Sequence, residues 1–148
     1  TSSATPTVAP TALADALGRV GDRWSLLVVA ALLAGPRRFG DLLDGLDGLA
    51  PNILSRRLAH LEAEGLVVGE PYSRRPVRHA YRLTAAGADL AGVLRLRADW
   101  EAHRGGPPGA ESGAPHHRSC GSALDARWWC PTCDERVDDP DADGLRWV

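Results

Sequence analysis

The chain has 148 residues, 44% of them hydrophobic, and its 17 basic and 19 acidic residues give a net charge of −2. This length accommodates one ordinary domain and a small appendage, and it is too short for two full-sized cores. No apolar run approaches the roughly 20 residues of a membrane-spanning helix, and no secretion signal is visible, so we expect a soluble, cytoplasmic protein with no membrane partner.

The charges are distributed unevenly along the chain. Through Arg104 the sequence has 13 Arg and 11 acidic residues, whereas the remainder has 4 Arg and 8 acidic residues. The first part therefore has a net charge of +2 and the remainder a net charge of −4. This mild asymmetry favours a nucleic-acid partner only if the arginines lie together on one surface, so their placement on the predicted elements is decisive.

Two helices are predicted before residue 36, because apolar residues recur at helical spacing on both sides of an interruption at Gly21-Asp22. Asp22 is predicted to cap the second helix, which begins near Trp24. Gly35-Pro36 is predicted to end it, since Gly tolerates the left-handed C-terminal conformation and Pro cannot continue a helix. A short third helix is predicted from Phe39 to Leu46.

A fourth helix is predicted from Pro51 to Gly65, because proline is tolerated in the first helical turn. Its apolar stripe consists of Ile53, Leu54, Leu58 and Leu61. The opposite face has short polar side chains and an arginine, the groups that reach base edges in the major groove of DNA. We therefore predict a recognition helix whose DNA contacts come from Asn52, Ser55, Arg56 and the adjacent Arg57.

A β-hairpin follows the predicted recognition helix. Leu66–Val68 and Ala80–Thr84 are predicted as strands, with a polar loop over residues 72–78 between them. Three arginines at the tip of this wing are predicted to contact phosphates or a minor groove: Arg74, Arg75 and Arg78. Arg37 and Arg38, beside the third helix, are further candidates for phosphate contacts.

Thr84 is predicted to cap the last helix of this domain. That helix has more large apolar side chains than a small domain needs, Leu90, Leu94 and Trp100 among them. Together with the first helix it is predicted to form a two-fold dimer contact, which lets such proteins span two half-sites. The predicted fold is mostly α with a small β-hairpin wing (α+β): a winged helix-turn-helix domain over residues 12–104, after a disordered arm over residues 1–11.

Several segments resemble the HxlR-type winged helix-turn-helix regulators. The similar runs are LGRVGDRWSLL (17–27), GPRRFGDL (35–42), PNILSRRLAHLEAEGLV (51–67) and YRLTAAG (81–87). They cover about two-thirds of the chain in the order and spacing of the family. The resemblance implies a bacterial regulator of transcription that acts as a homodimer built from its terminal helices and binds double-stranded operator DNA.

Two departures limit what the resemblance implies. Many members of the family have a cysteine before an early proline, used in some for oxidant or electrophile sensing, whereas here Ala9 precedes Pro10. That sensing chemistry is absent at this position. The recognition helix also begins Leu49-Ala50-Pro51-Asn52, where members often have a small hydroxyl residue and a basic residue flanking the proline, so operator preference is not transferable.

After a Gly/Pro-rich linker over residues 105–115, the tail over residues 116–148 contains two short cysteine motifs. Cys130-Pro-Thr-Cys133 has the spacing of a metal-binding turn, and His117-Arg-Ser-Cys120-Gly reproduces it with His as the first ligand. Three thiolates and one imidazole suit tetrahedral Zn²⁺. We predict a zinc-ribbon-like module with one Zn²⁺ per chain and a hairpin over residues 123–129.

Other interpretations of the cysteines stay open. Cys130 and Cys133 could be a redox pair, although this would leave Cys120 and His117 unexplained; iron chemistry and unligated thiols are further alternatives. His116 could replace His117 as ligand, but only His117 reproduces the His-x-x-Cys spacing. The sequence contains no catalytic triad, phosphate-binding glycine loop or paired carboxylates, so no enzyme is expected.

The sequence thus predicts a homodimeric DNA-binding regulator, expected to be a repressor, with a structural zinc site and room for an unidentified small-molecule effector. One alternative makes the three-cysteine, one-histidine site the sensor of a redox- or metal-responsive regulator. Another takes the chain as a protein-interaction module that does not bind an operator.

Overall fold

A computed structural model of the chain describes residues 11–105 and 116–137, with His103 described in its backbone only. The chain divides into two compact units, one ending at Leu94 and the other beginning at Arg95. Almost all of the predicted arm and linker, and the acidic end from residue 138, lie outside the described residues. None of the described helices is long and apolar enough to cross a membrane.

The described part of the first unit, from residue 11, contains five helices and three strands, and a sixth helix begins in it. They are α1 (Ala12–Arg19), α2 (Arg23–Leu33), β1 (Arg37–Arg38), α3 (Phe39–Gly45), α4 (Pro51–Ala63), β2 (Val67–Arg74), β3 (Val77–Leu83), α5 (Ala85–Ala88) and α6 (Ala91–His103). This arrangement confirms the mostly helical winged helix-turn-helix fold. The predicted domain end at residue 104 differs from the boundary between the compact units, which falls inside α6.

Local side-chain hydrogen bonds fix where the helices begin. The Asp22 carboxylate accepts a hydrogen bond from the backbone N–H of Ser25 at 3.0 Å, as predicted for the N-cap of α2. Thr11 caps α1 and Thr84 caps α5 in the same way. Pro51 occupies the first turn of α4, where its missing N–H breaks no intrahelical bond.

The core of the first unit is formed where α2, α3 and α4 pack together with the start of β2. Its buried side chains are Val28, Val29, Leu32, Leu42, Leu49, Leu54, Leu58, Leu61 and Val67. Three of the four predicted apolar residues of α4 are therefore in the core, and Ile53 is packed at its edge. This packing fixes the rotation of α4 about its own axis.

The wing differs from the prediction. The strands β2 and β3 continue to Arg74 and from Val77, so the turn comprises only Arg75-Pro76 instead of the predicted loop over residues 72–78. The outer halves of both strands are largely exposed on both faces, which concealed them, because alternation is visible only where one face is buried. The sheet also has a third strand, β1, which pairs with β3 at the edge opposite β2.

The segment after Thr84 forms two helices and not the single predicted one, since α5 ends at Ala88 and α6 begins at Ala91. Gly87 of α5 packs so tightly that a Cβ atom at this position would lie 2.1 Å from the Leu66 carbonyl oxygen. This close approach anchors the start of the segment on the end of the α4–β2 connection.

The residues of the second unit that the structure describes form the rest of α6 and two short strands, β4 (Trp128–Cys130) and β5 (Glu135–Val137), which pair antiparallel. The hairpin therefore surrounds the Cys130–Cys133 turn, and the predicted hairpin over residues 123–129 is wrong. A single bridge between His116 and Ala123 closes the first cysteine motif instead.

Candidate nucleic-acid interface

The outward face of α4 carries three of the four residues predicted for the recognition helix. Asn52, Ser55 and Arg56 are exposed, whereas Leu54, Leu58 and Leu61 on the other face are buried. An exposed row of an amide, a hydroxyl and a guanidinium can donate to and accept from base edges in a major groove. The arrangement on α4 is thus the one that the sequence pattern predicts.

Arg57 is placed differently from its neighbour Arg56. Its Nη1 atom lies 3.3 Å from Oδ1 of Asp22, and the two side chains are 34% and 39% exposed. Burial raises the pKa of Asp22, but hydrogen bonds from Ser25 and the positive charge of Arg57 outweigh it, so the net pKa is lowered. We therefore assign Arg57 to positioning α4 against the start of α2.

The C-terminal end of α4 also contacts the end of α1. His60 Nε2 lies 2.6 Å from the carbonyl oxygen of Arg19, at the end of α1. The Arg19 guanidinium in turn donates to the Glu64 carboxylate at 2.9 Å. With the Arg57 contact, these links hold the middle and the C-terminal end of α4, which sequence reasoning missed because the partners are 35 to 45 positions apart.

The wing presents the three predicted arginines at its tip, and all three side chains are exposed. Arg74 pairs with Val77 beside the turn, Arg75 lies in the turn, and Arg78 is opposite Ser73. The base of the hairpin, where Val67 begins β2 and Leu83 ends β3, lies beside the core, so the arginines project on a β-hairpin built on the same core as α4. Such a hairpin can offer cations to a DNA backbone.

A cleft of about 630 Å³ lies between the wing and the start of α3. Arg38 stacks over the ring of Tyr72, with its guanidinium carbon 4.4 Å from the ring centroid, and Arg78, His79 and Tyr81 also line the cleft. The sequence indicated Arg38 only as a phosphate candidate. Its stacking on an aromatic ring of the wing was not predictable without the β1–β3 pairing.

The four predicted metal ligands lie in the second unit as two pairs. Nδ1 of His117 is 3.4 Å from Sγ of Cys120, and the thiols of Cys130 and Cys133 are in hydrogen-bond contact. None of the three cysteines forms a disulfide. Within residues 11–105 and 116–137, no three His, Cys, Asp or Glu side chains are close enough together to form a metal site. The two residues of each pair are therefore in contact, but the two pairs are not close to each other.

The environment of each thiol changes its acidity. Hydrogen bonds with Ser122 and with His117 lower the pKa of Cys120 to about 7. Hydrogen bonds with Cys133 and Thr132 lower the pKa of Cys130, and the same thiol contact raises the pKa of Cys133. The acidity of each thiol is thus set by hydrogen bonds within its own turn.

Comparison with known proteins relates this geometry to transcriptional regulators. The HxlR-like helix-turn-helix family matches residues 19–107. An uncharacterized HTH-type transcriptional regulator of Mycobacterium tuberculosis is 40% identical over 123 residues, which cover 82% of this chain and 77% of that protein. Residues 1–115 make up less than four-fifths of the chain, whereas the match covers 82% of it. The match therefore extends beyond the predicted linker into the cysteine-containing tail.

Two solved structures show the same fold. A Pseudomonas aeruginosa protein described as a transcription factor is 34% identical, covers 86% of both chains and superimposes with a TM-score of 0.62. The reduced form of the transcriptional regulator YodB of Bacillus subtilis is 26% identical, covers 63% of this chain and 92% of that chain, and gives a TM-score of 0.55.

Proposed function

Because this chain belongs to the HxlR-like family of helix-turn-helix transcriptional regulators, we propose that it acts as a homodimer that binds operator DNA and represses transcription. Its relatives are regulators and not enzymes. The observation that carries the proposal is the division of α4 into an inward row of leucines and an outward row of Asn52, Ser55 and Arg56. The two rows leave the polar face of a rigidly held helix open to a major groove.

The wing supplies the sequence-independent part of this binding. Arg74, Arg75 and Arg78 are exposed at or beside a two-residue turn, where guanidinium groups can pair with phosphates. Phosphate contacts position a protein on the duplex and make binding depend on salt. The arginines of the wing thus complement the base-reading face of α4.

The dimer proposal rests on apolar side chains that are exposed on α1 and on α6. Helix α1 has no buried residue, and its apolar residues Leu13 and Leu17 are 67% and 54% exposed. Helix α6 exposes Val93, Leu96 and Trp100. A second copy of the chain is the proposed occupant of these faces, in agreement with the homodimer of terminal helices that the family resemblance implies. Burying one such leucine fully contributes about 1.5–3 kcal/mol.

We propose repression because a dimer bound to its operator would cover promoter DNA. A small dimer with a helix in each of two successive major grooves covers roughly two helical turns of DNA, and a promoter covered in this way is closed to the polymerase. We place the possible small-molecule effector in the cleft beside the wing, which is lined by two arginines, two tyrosines and the carboxylate of Asp41.

The test uses the full-length protein in a selection from random duplex DNA, followed by fluorescence anisotropy on the selected site and a scrambled one. We expect affinity for the selected site to be at least about a thousand-fold tighter than for scrambled DNA, and the protein to elute as a dimer that Leu17→Asp dissociates. Equal affinity for both sequences would show that the chain is an interaction module and would overturn the proposal. A monomer bound to DNA would overturn its dimeric part.

A further inference from the structure

The tail over residues 116–137 has defined secondary structure but no hydrophobic core. Between residues 116 and 137 no side chain is fully buried; only Cys130 and Val137 are partly covered, and Trp128 and Trp129 are 52% and 58% exposed. Yet this segment contains a bridged turn and a β-hairpin. A segment this small needs a staple such as a metal or a disulfide, because burial alone contributes too little to its stability.

The two cysteine turns have the same backbone design. In each, the residue directly after the second cysteine has a positive φ: Gly121 at +73° after Cys120, and Asp134 at +56° after Cys133. In the first turn the N–H of Gly121 donates to the His117 carbonyl at 2.8 Å. Both cysteine turns therefore end in a left-handed residue, which is an observation independent of the cysteine spacing.

The His117–Cys120 pair already has the separation that a zinc ion requires. Zn–N and Zn–S bonds of about 2.1 and 2.3 Å at a tetrahedral angle place the nitrogen and sulfur ligands roughly 3.6 Å apart. The observed distance between Nδ1 of His117 and Sγ of Cys120 is 3.4 Å. His116 has a different role, since its backbone forms the bridge with Ala123 at the base of this turn.

We propose that the tail binds one structural Zn²⁺ through Nδ1 of His117 and the sulfur atoms of Cys120, Cys130 and Cys133. The three thiols lose their protons to solvent as the thiolates bind the metal, and the imidazole binds in its neutral form. The two pairs lie apart in the described residues, so metal binding brings the turns together and supplies folding free energy that the uncovered side chains do not. This proposal does not depend on operator binding.

The experiment measures the metal content of the full-length protein purified under reducing conditions, together with titration of the metal-free protein with Co²⁺. We expect one zinc per chain and the visible absorption of tetrahedral Co²⁺ with thiolate ligands. His117→Ala and Cys130→Ser should each lower the affinity for metal by at least about tenfold, and the neighbouring His116→Ala should retain wild-type affinity as the matched control. Chelation should accelerate tryptic cleavage after Arg118 and Arg127.

Several results would overturn the proposal. A reduced protein that holds no metal and gives no Co²⁺ spectrum has no such site. A disulfide mapped between Cys130 and Cys133 by peptide mass spectrometry of protein purified without reductant would identify these cysteines as a redox pair. Stoichiometric iron in place of zinc would reject the assignment of the metal. Loss of metal in His116→Ala but not in His117→Ala would reject the ligand set. Circular dichroism of each full-length variant, which measures its helical content, tests whether the variant is folded.

Discussion

The adjacent arginines of α4 offer a matched pair for testing how this helix functions. Arg56 is exposed on the outward face, whereas Arg57 contacts Asp22 and is only partly exposed. We expect Arg56→Ala to weaken binding to the selected site by about 1–3 kcal/mol, which is roughly 5- to 150-fold, because a bidentate contact with guanine is lost. Arg56→Lys should recover little of this, since an ammonium group lacks the guanidinium fork.

Arg57→Ala should act on stability more than on recognition. Its ion pair with Asp22 spans 3.3 Å between partners that are about one-third exposed, so solvent screening limits the loss to about 0.5–1 kcal/mol of unfolding free energy. Loss of this link loosens α4 without removing a base contact. The expected effect on DNA affinity is therefore several-fold smaller than that of Arg56→Ala.

The assay is fluorescence anisotropy at several salt concentrations, combined with urea unfolding of each variant. If Arg56 contacts a base, the slope of log K against log salt should be nearly unchanged in Arg56→Ala, whereas loss of a phosphate contact reduces the slope by about 0.9. Wild-type affinity in Arg56→Ala would refute the assignment of the recognition face. A larger loss of affinity in Arg57→Ala than in Arg56→Ala would refute the distinction between the two arginines.

Three further changes test the scaffold by urea unfolding. Leu54→Ala should cost about 2–5 kcal/mol, because the side chain is fully buried in the core, and a loss below 1 kcal/mol would contradict this packing. Gly87→Ala should destabilise by a comparable amount, since its Cβ would meet the Leu66 carbonyl oxygen; an unchanged midpoint would disprove the close approach. Because the pKa of Asp22 is lowered on folding, the extra stability of wild type over Asp22→Asn should be present above about pH 4 and disappear as pH falls; a constant difference would exclude this linkage.

The starts of α2, α4 and α5 were predictable because the signals are local. Asp22 and Thr84 each accept a hydrogen bond from a backbone N–H three residues ahead, and Pro51 begins a helix in which it breaks no bond. The inward face of α4 followed from spacing alone, since leucines three or four residues apart lie on one side of a helix. These features depend on residues within one or two turns of each other.

The features that the sequence did not reveal depend on distant partners. The outer halves of the wing strands are largely exposed on both faces, so no alternation marked them, and the two-residue strand β1 exists only because β3 pairs with it. The contact of Arg57 with Asp22 spans 35 positions. Arg57 therefore looked equivalent to Arg56 in the sequence, and only the rotation of α4 against α2 distinguishes them.

The two units also allow the role of the tail to be separated from recognition. All the residues that we assign to DNA contacts, and the whole buried core, lie before the boundary at Leu94, whereas the four proposed metal ligands lie after it. If the zinc is structural, chelation should expose the tail to trypsin and change operator affinity less than twofold. Oxidation by peroxide should then release metal with the same small effect. A tenfold or larger change in affinity on oxidation, reversed by reductant and zinc, would instead show that the tail is a sensor coupled to α4. Oxidation can change DNA affinity only if the free energy of DNA binding differs between the oxidised and the zinc-bound states of the tail.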